Sequence, residues 1–433
     1  MSSLVIQGNT RLRGSVRIGG AKNSALELIS AALLTPEPVI LYNVPDLSDI
    51  DTLCRLIESL GAKVERDKAS ASMRIQAKEI SSVKADYEIV SKMRASIYVL
   101  GALLGRTGEA KVASPGGCVI GSRPINAHLD AFAAMGASIG NHHGYIVAKA
   151  IGGRMAGGSV NGLVKTANGT AITTHGGNVN AIQAAVLAKG RTVIRHASLE
   201  PEIDDLIAML SKMGARIKRS ADGEANTIEI DGVQSLGGCE FFVMPDRIEA
   251  ATYAIAAAMT RGRIEITGAS TDTMGAVVRK LREAGAEIEN TPDGFAADGT
   301  RAELRAVDVE VSQYPGFPTD AQSQFMTMMC TAKGECVLRE TLFENRLMYA
   351  AELARMGADI EILDPQTARF RGVKKLYGAD VKATDLRSGA ALTIAGLCAD
   401  GITRVIDAKH IYRGYQNFAA NLRAMGAEIE VEE

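Results

Sequence analysis

One pattern of helix, glycine and strand recurs six times along the chain. Each copy ends an amphipathic helix, continues through Gly-Ala, and runs on as a strand of alternating polar and apolar residues. The six copies are LIESLGAKVERD (56–67), FAAMGASIG (132–140), MLSKMGARIKRS (209–220), LREAGAEIEN (281–290), LARMGADIEIL (353–363) and LRAMGAEIEVE (422–432). Each glycine stands where a helix favours a left-handed residue after its last turn. The pattern predicts six similar αβ repeats.

A second kind of segment, rich in alanine and apolar nearly all round, accompanies each copy. These segments are 21–34, 93–105, 178–188, 246–259, 319–332 and 387–399. Helices that are apolar on every side are buried, so we predict that they pack inside each domain. Short strands and polar loops precede the amphipathic helices, and unpaired N–H groups at helix starts favour anions. The repeats divide three and three between two domains.

Length and composition restrict the class of protein. A chain of 433 residues is too long for one hydrophobic core. The formal net charge of −2 gives no overall attraction to nucleic acid or to an anionic membrane. The start of the chain lacks a signal-peptide pattern, and apolar runs such as 254–259 are too short to span a bilayer. We therefore expect a cytoplasmic protein.

The cysteines and histidines do not form a metal-binding pattern. The six cysteines are scattered, and none forms a CxxC pair or a Cys/His cluster with zinc spacing. His142 and His143 are adjacent, which predicts a turn rather than one helix face. The sequence predicts free thiols in a reducing compartment and no metal site.

Several charged residues lie at predicted helix starts. Lys22 precedes Asn23-Ser24, which is a good N-cap pair, and a cation there is locally unfavourable unless solvent or a bound anion compensates it. Asp320 opens another helix, as an N-cap or as a general base for a hydroxyl.

Arginines follow polar loops in the second half of the chain, at positions 346, 387 and 413. Each could be a solvated surface side chain. Together with Lys22 they suit a ligand that carries both a carboxylate and a phosphate. No Walker loop or GxGxxG motif is present, and Gly176-Gly177 is only a weak candidate for phosphate binding.

Cys118 lies in the glycine-rich segment SPGGCVIGSRP (114–124). Arg123 and backbone N–H groups in such a loop would stabilise a thiolate, which favours a reactive cysteine. Burial as an inert thiol is the alternative. The other five cysteines lack this setting and are interpreted as structural.

With these motifs in view, the chain resembles the enolpyruvyl transferase family, in the branch whose acceptor is UDP-N-acetylglucosamine. The resemblance runs from end to end and rests on nine segments. They are GGAKNSAL (19–26), MRASIYVLG (93–101), SPGGCVIGSRP (114–124), EPEIDDL (200–206), MPDRIEA (244–250), FPTDAQSQF (317–325), FENRLM (343–348), ATDLRSGAAL (383–392) and HIYRGY (410–415).

The resemblance implies an α/β fold, a two-domain inside-out αβ barrel with six βαβαββ units arranged three per domain. It implies one domain of residues 23–244, which carries the Cys118 loop, and a second of residues 1–22 plus 245–433. The active site would lie in the cleft between the domains. Closure of such a cleft expels water and strengthens its electrostatic interactions.

The resemblance also implies roles for single residues. Cys118 matches the proton donor, which forms a covalent adduct with phosphoenolpyruvate, and Asp320 matches the residue at the attacking hydroxyl. Lys22 and Arg413 complete the catalytic set; with Arg123 they match the cations that bind phosphoenolpyruvate. The implied substrate-binding residues are Lys22, Asn23, Arg94, Arg123, Pro124, Ile125, Asn126, Ala127, Thr174, His175, Gly176, Asp320, Leu342, Arg387 and Arg413.

The implied reaction moves the enolpyruvyl group of phosphoenolpyruvate onto the 3-hydroxyl of a UDP-sugar by addition and elimination. It requires no cofactor and no metal. The substrates are small molecules, with no nucleic acid, no membrane and no obligate protein partner.

One stretch departs from the family. Where the family has a lysine shortly before Ser-Val-Gly-Ala-Thr, this chain has Ile172 and then His175 in place of the valine, while Gly176 is kept. Asn126 stands where an aspartate is common. A paralogous transferase acting on a different nucleotide or sugar nucleotide is therefore the alternative function.

A non-catalytic binding protein of the same fold is a second alternative. The family's reacting positions are retained, which argues against it. They are Lys22, Cys118, Arg123, Asp320 and Arg413.

Cys118 generates the first testable prediction. The resemblance implies that fosfomycin, a thiol-alkylating antibiotic, modifies this residue, so saturating fosfomycin should abolish turnover. The measurement is phosphate release after preincubation with the antibiotic. Activity that survives this treatment unchanged would count against the role of Cys118.

Overall fold

A computed structural model describes residues 2–114, 125–165, 169–220 and 226–432 of the chain. These residues form two compact lobes. The first lobe takes residues 20–244 and the second takes residues 2–19 together with 245–432, apart from the gaps just given. The predicted residues Cys118, Arg123 and Pro124 lie outside the described residues.

The strands are short, and most span three to six residues. In chain order they are β1 Ser3–Gln7, β2 Arg13–Arg17, β3 Val39–Tyr42, β4 Lys63–Asp67, β5 Ser72–Gln76, β6 Lys84–Ala85, β7 Glu109–Ala113, β8 Ala137–His142, β9 Tyr145–Ala150, β10 Ser159–Asn161, β11 Leu163–Lys165, β12 Ala171–Thr173, β13 Arg191–Arg195, β14 Arg216–Ser220, β15 Thr227–Asp231, β16 Cys239–Phe242, β17 Arg263–Thr267, β18 Glu287–Thr291, β19 Gly294–Asp298, β20 Val309–Glu310, β21 Glu335–Arg339, β22 Asp359–Asp364, β23 Thr367–Arg371, β24 Asp380–Lys382, β25 Ile402–Ile406 and β26 Ile429–Glu432.

The helices alternate with these strands. They are α1 Lys22–Ala31, α2 Ser48–Ser59, α3 Tyr87–Val90, α4 Tyr98–Thr107, α5 Asn126–Ala134, α6 His175–Ala185, α7 Pro201–Lys212, α8 Arg247–Met259, α9 Gly275–Glu283, α10 Thr319–Met329, α11 Tyr349–Arg355, α12 Leu386–Cys398 and α13 Phe418–Ala424. Short 3-10 helices occupy Ala32–Leu34, Arg94–Ile97, Thr271–Met274 and Ala408–Arg413.

Six four-stranded sheets share one topology. Their orders are β16-β3-β5-β4, β6-β7-β9-β8 and β10-β13-β15-β14 in the first lobe, and β2-β17-β19-β18, β20-β21-β23-β22 and β24-β25-β1-β26 in the second. In each sheet the first two strands are parallel and the other neighbours antiparallel. This is the βαβαββ repeat predicted from the sequence, three times in each lobe.

The alanine-rich helices form the interior of each lobe, as predicted. Every residue of α8 is buried, and in α12 residues 387–397 are buried. Helix α4 approaches α6 closely because glycine stands at the contact. A Cβ on Gly101 would lie 2.5 Å from the carbonyl oxygen of Asn180, which is closer than atoms can pack. Interior helices surrounded by sheets give the predicted inside-out arrangement within each lobe.

The six glycines of the repeated pattern all have positive φ. Their values run from +87° at Gly136 to +110° at Gly61, and the other four are Gly214, Gly285, Gly357 and Gly426. Each follows a helix and precedes a strand, so the prediction of left-handed glycines is confirmed. The predicted turn at His142 and His143 is also confirmed, since β8 ends at His142 and His143 has φ 53°.

Some local predictions are wrong. Helix α1 begins at Lys22, and its N-cap residue is Ala21, which makes no side-chain cap. Asn23 and Ser24 therefore lie inside the first turn and do not cap the helix. Helix α6 begins at His175 rather than near residue 178, because the Thr174 side chain accepts from the N–H of Gly177 and starts the helix earlier.

The glycine conformation yields a prediction about stability. Gly426→Ala should lower the free energy of unfolding by about 1–2 kcal/mol, because an L side chain is strained at φ +97° although nothing lies within 4 Å of its Cβ. Gly275→Ala in the same lobe is the matched control. Gly275 has helical φ −53° and only ordinary contacts, so alanine should raise stability by about 0.5–1 kcal/mol. Chemical denaturation measures both, and equal effects would contradict the explanation.

Candidate active site

In the first lobe, Lys22 is the first residue of α1 and is buried. Its Nζ lies 2.8 Å from Oδ2 of Asp49, which is a buried residue in the first turn of α2. The interpretation of Lys22 as a solvated surface residue is therefore wrong. Asp49 supplies the negative charge that a cation needs at a helix N-terminus.

Helix α1 makes a second polar contact through Ser24. Ser24 Oγ donates to Oδ2 of Asp205 on α7, and the same oxygen accepts from the N–H of Met244 at 3.2 Å. Burial raises the pKa of Asp205 to about 6, although these hydrogen bonds act in the opposite direction. Asn23, the predicted sugar contact, is half-buried in the first turn of α1.

The third contact of α1 involves His175. Its Nε2 lies 2.5 Å from Oε1 of Glu27, whose side chain has no exposed surface. Burial alone would lower the pKa of His175, but the charges of Glu27 and of nearby glutamates raise it to about 9. His175 therefore carries a positive charge at neutral pH. His175, the residue at which this chain departs from the family, thus has the carboxyl group of Glu27 on α1 as its partner.

The start of α6 lies against α5. A Cβ on Gly176 would lie 3.2 Å from Cε1 of His128 and 3.4 Å from a ring carbon of Tyr98. These rings leave little space for a side chain at position 176. His128 Nδ1 lies 2.7 Å from Nδ2 of Asn180. Burial lowers the pKa of His128 to about 3, and the positive charge of Arg94 acts in the same direction, so this imidazole is neutral.

The remaining predicted residues of the first lobe lie at element starts. Arg94 is half-buried at the first position of a 3-10 helix. Ile125 is the N-cap residue of α5, the exposed Asn126 is its first residue, and Ala127 is buried. Thr174 caps α6 through its hydroxyl, with a distance of 3.1 Å from Gly177 N. Ile172 lies in β12, paired with Val164 of β11.

In the second lobe, the structure brings Asp320, Arg346 and Arg387 together. Arg346 Nη2 donates to Oδ1 of Asp320 at 3.1 Å, and Arg387 Nη2 donates to Oδ2 at 2.9 Å. The two arginine side chains are 3% and 2% exposed, whereas that of Asp320 is 29% exposed. The carboxylate is thus held from behind by two buried cations and keeps an accessible surface.

Two of the simpler sequence interpretations are wrong in this lobe. Asp320 does not cap α10, because the helix begins at Thr319 after an N-cap residue, Pro318, that makes no side-chain cap. Arg346 and Arg387 are not solvated surface residues. Burial alone would lower the pKa of Arg387, but the carboxylate of Asp320 raises it. Arg387 also lies over the ring of Tyr415, 5.2 Å from its centroid.

Arg413 and Leu342 lie elsewhere in the second lobe. Arg413 is half-buried and ends the 3-10 helix Ala408–Arg413. Leu342 is half-buried, and its N–H donates to Oε1 of Glu340 at 2.8 Å.

Two buried acids, Glu340 and Glu249, and the half-buried Asp385 were missed by sequence reasoning. Glu340 accepts from Leu342 and Phe343, and its other oxygen accepts from Thr319 Oγ1 at 2.8 Å. Asp385 caps α12 in a capping box with Ser388. Glu249 has its pKa raised to about 8 by burial. Only the Asp385 cap has a local signal in the sequence, the short run Asp-Leu-Arg-Ser.

The described residues contain neither a membrane-spanning helix nor a metal-binding cluster. None of the helices there is long and apolar enough to cross a membrane. No group of three or more His, Cys, Asp or Glu side chains in the same residues could hold a metal ion. The five cysteines within the described ranges are free thiols, as predicted.

The fold and the family comparison define the class of this protein. The model of the EPSP synthase (3-phosphoshikimate 1-carboxyvinyltransferase) family matches residues 6–422. The crystal structure of the enolpyruvyl transferase NikO from Streptomyces tendae superposes with a TM-score of 0.88 at 26% identity, covering 100% of this chain and 99% of that one. EPSP synthase from Acinetobacter baumannii shares the fold, with a TM-score of 0.75 at 17% identity over the full length of both chains. The class is that of the enolpyruvyl transferases.

Curated relatives identify the branch of the enolpyruvyl transferases to which the chain belongs. The UDP-N-acetylglucosamine 1-carboxyvinyltransferase of Paracoccus denitrificans is 45% identical over 431 residues, which covers 99% of this chain and 98% of the relative. The protein of the same name from Coxiella burnetii is 46% identical over 429 residues, covering 99% and 96%. The chain therefore belongs to the UDP-N-acetylglucosamine 1-carboxyvinyltransferase family.

The carboxylate of Asp320 generates a prediction about stability. Asp320→Asn should lower the free energy of unfolding by about 2 kcal/mol, because Arg346 and Arg387 lose a charged hydrogen-bond acceptor while they remain buried. Denaturant unfolding followed by circular dichroism measures the change.

Asp359→Asn is the matched control in the same lobe. Asp359 lies 3.3 Å from Arg371, and the side chains are 52% and 38% exposed. Losing this surface pair should change stability by less than about 0.5 kcal/mol. Similar losses in both variants would contradict a special role for the buried arginines.

Proposed function

We propose that this chain transfers the enolpyruvyl group of phosphoenolpyruvate to the 3-hydroxyl of UDP-N-acetylglucosamine and releases phosphate, a step of peptidoglycan precursor synthesis. Membership of the family over nearly the whole chain supports the reaction and the acceptor. The observation that carries the proposal in the structure is the Asp320 carboxylate, partly exposed and held by two buried arginines.

In the addition step, the acceptor 3-hydroxyl oxygen forms a bond to C2 of phosphoenolpyruvate. Its proton passes to a base, and C3 gains a proton from an acid, so the double bond becomes a tetrahedral ketal. In the elimination step, the bond from C2 to the phosphate oxygen breaks and C3 loses a proton. The products are an enol ether and inorganic phosphate, and no electrons enter or leave.

We propose that Asp320 is the base that accepts the proton of the attacking hydroxyl. Its two carboxylate oxygens accept hydrogen bonds from Arg346 and Arg387, and an ionised carboxylate can accept further hydrogen bonds, including one from a hydroxyl. The guanidinium groups fix the orientation of the carboxylate, so binding does not have to order it. Cys118 is proposed as the acid at C3, following the family pattern.

Lys22, Arg123 and Arg413 are proposed to bind the phosphate and carboxylate of phosphoenolpyruvate. Arg94 and Arg387 are proposed as further cations of the substrate site. Positive groups aimed at developing negative charge stabilise the transition state, most strongly where water is excluded. Because Lys22 already contacts Asp49, a bound anion would share this lysine with a carboxylate.

For the acceptor, we propose that Asn23, Ile125, Asn126, Ala127, Thr174, His175, Gly176 and Leu342 bind the UDP-sugar, with Pro124 beside the uridine. The names of the relatives favour UDP-N-acetylglucosamine over another nucleotide, in spite of the departures at Ile172 and His175. We place the reaction in the cytoplasm, because the free cysteines suit a reducing compartment.

Phosphate release from phosphoenolpyruvate tests the function directly. The purified protein is incubated with UDP-N-acetylglucosamine, UMP, shikimate 3-phosphate or no acceptor, in parallel. We expect rapid release only with UDP-N-acetylglucosamine. Asp320→Asn should reduce kcat by at least about 100-fold, because the base and its charge are lost.

The other outcomes have definite meanings. Release with UMP alone would move the enzyme to another pathway and implicate Ile172 and His175 in the change of acceptor. Release with none of the acceptors would contradict the proposed function. Asp359→Asn, the surface variant, should turn over at the wild-type rate.

A further inference from the structure

Helix α1 is held on several sides by polar contacts to three different helices. This matters because α1 begins with Lys22 and Asn23, two residues assigned to substrate above. The contacts are Lys22 with Asp49 on α2, Ser24 with Asp205 on α7, and Glu27 with His175 on α6.

Within the part of the chain that the structure describes, no other side-chain contact replaces the one between Glu27 and His175. Oε2 of Glu27 and Nδ1 of His175 are buried without a hydrogen-bond partner among the described residues. Each group therefore depends on the single 2.5 Å contact between them. A buried carboxylate is tolerated when it is paired and becomes costly when its partner is lost.

Burial and nearby charges act on both members of this pair. Burial would lower the pKa of His175, but Glu27 on α1 raises it to about 9, helped by Glu200 and Glu202 at the start of α7. Burial raises the pKa of Glu27 and outweighs the opposing effect of His175, while Glu202 and Asp205 add to the rise. From α5, His128 near Gly176 is neutral because burial lowers its pKa to about 3.

We propose that Glu27 and His175 are positioning residues for the transfer reaction, whose ion pair holds the start of α1 against the start of α6. The inference rests on the proposed function, in which Lys22, Asn23 and the segment 174–176 bind substrate. Neither Glu27 nor the imidazolium has to touch a reacting atom. The pair acts through the placement of the two helix starts.

The pair gives the enzyme a defined dependence on pH. The pKa of His175 in the folded chain, about 9, is raised above the ordinary value of 6.5. Its contribution to stability is therefore fully present below pH 6.5 and is lost as pH rises through about 9. Deprotonation leaves the buried Glu27 carboxylate without a counter-charge, and the placement of α1 should loosen in the same pH range.

Three variants test the proposal: Glu27→Gln, His175→Gln and the double variant. Each single change should lower kcat/KM at pH 7.5 by about 10- to 100-fold, because a misplaced binding group costs rate. The double variant should recover to within about threefold of wild type, since two amides can form a hydrogen bond without a buried charge.

The pH profile provides the second readout. The ratio of wild-type to double-variant kcat/KM should fall as pH rises from about 6.5 to about 9, because only the wild type carries the titrating pair. The difference in melting temperature between the two proteins should shrink over the same range. His142→Gln, a change at the end of β8, is the control and should leave kcat/KM and its pH profile unchanged.

Two results would overturn the inference in different ways. If the wild type turns over and the single variants lose only melting temperature, with kcat/KM and its profile at 25 °C unchanged, the pair is structural and the positioning role fails alone. If the wild type releases no phosphate with any acceptor, the proposed function fails and the positioning role fails with it.

Discussion

The burial of six interior helices on nearly all sides is the constraint on which both lobes depend. A helix with no exposed face must satisfy every polar side chain inside the protein. In α1 this applies to Lys22, Ser24 and Glu27, all of which are buried. Small residues elsewhere on these helices let the neighbouring backbones approach. The polar groups near the helix starts are consequently fixed by specific partners.

The same constraint shapes the second lobe. On α10, Gln324 donates to Oγ1 of Thr252 at 3.1 Å and to Oη of Tyr415 at 2.9 Å, which links α10 to α8 and to the Tyr415 segment. The ring of Tyr415 lies beneath Arg387, and Arg387 holds Asp320. A carboxylate at the edge of the lobe is thus supported by a continuous set of buried contacts. Its orientation is determined by packing in the interior.

The features predicted correctly from the sequence are those determined by interactions between residues close together along the chain. The left-handed glycines, such as Gly61 and Gly426, were predictable because a helix end followed by a strand requires that conformation. The alanine-rich interior helices were predictable from composition alone. The pairings between distant residues were not. Glu27 and His175 are 148 positions apart, and no periodicity indicates that they meet. For the same reason, Lys22 was expected to face solvent or a ligand, although Asp49 is its partner.

The way each lobe completes its sheets affects how the chain folds during synthesis. In the first lobe, β3 pairs with β16, the last described strand of that lobe, so all of its described strands have been synthesised once Phe242 is added. Strands β1 and β2 are made earliest, yet their partners are β17, β25 and β26. Strand β2 therefore remains without its sheet partner until β17 has emerged, and β1 until β25 and β26 have emerged. The first lobe, whose sequence lies between β2 and β17, therefore has all of its described strands synthesised before the second lobe can complete its sheets.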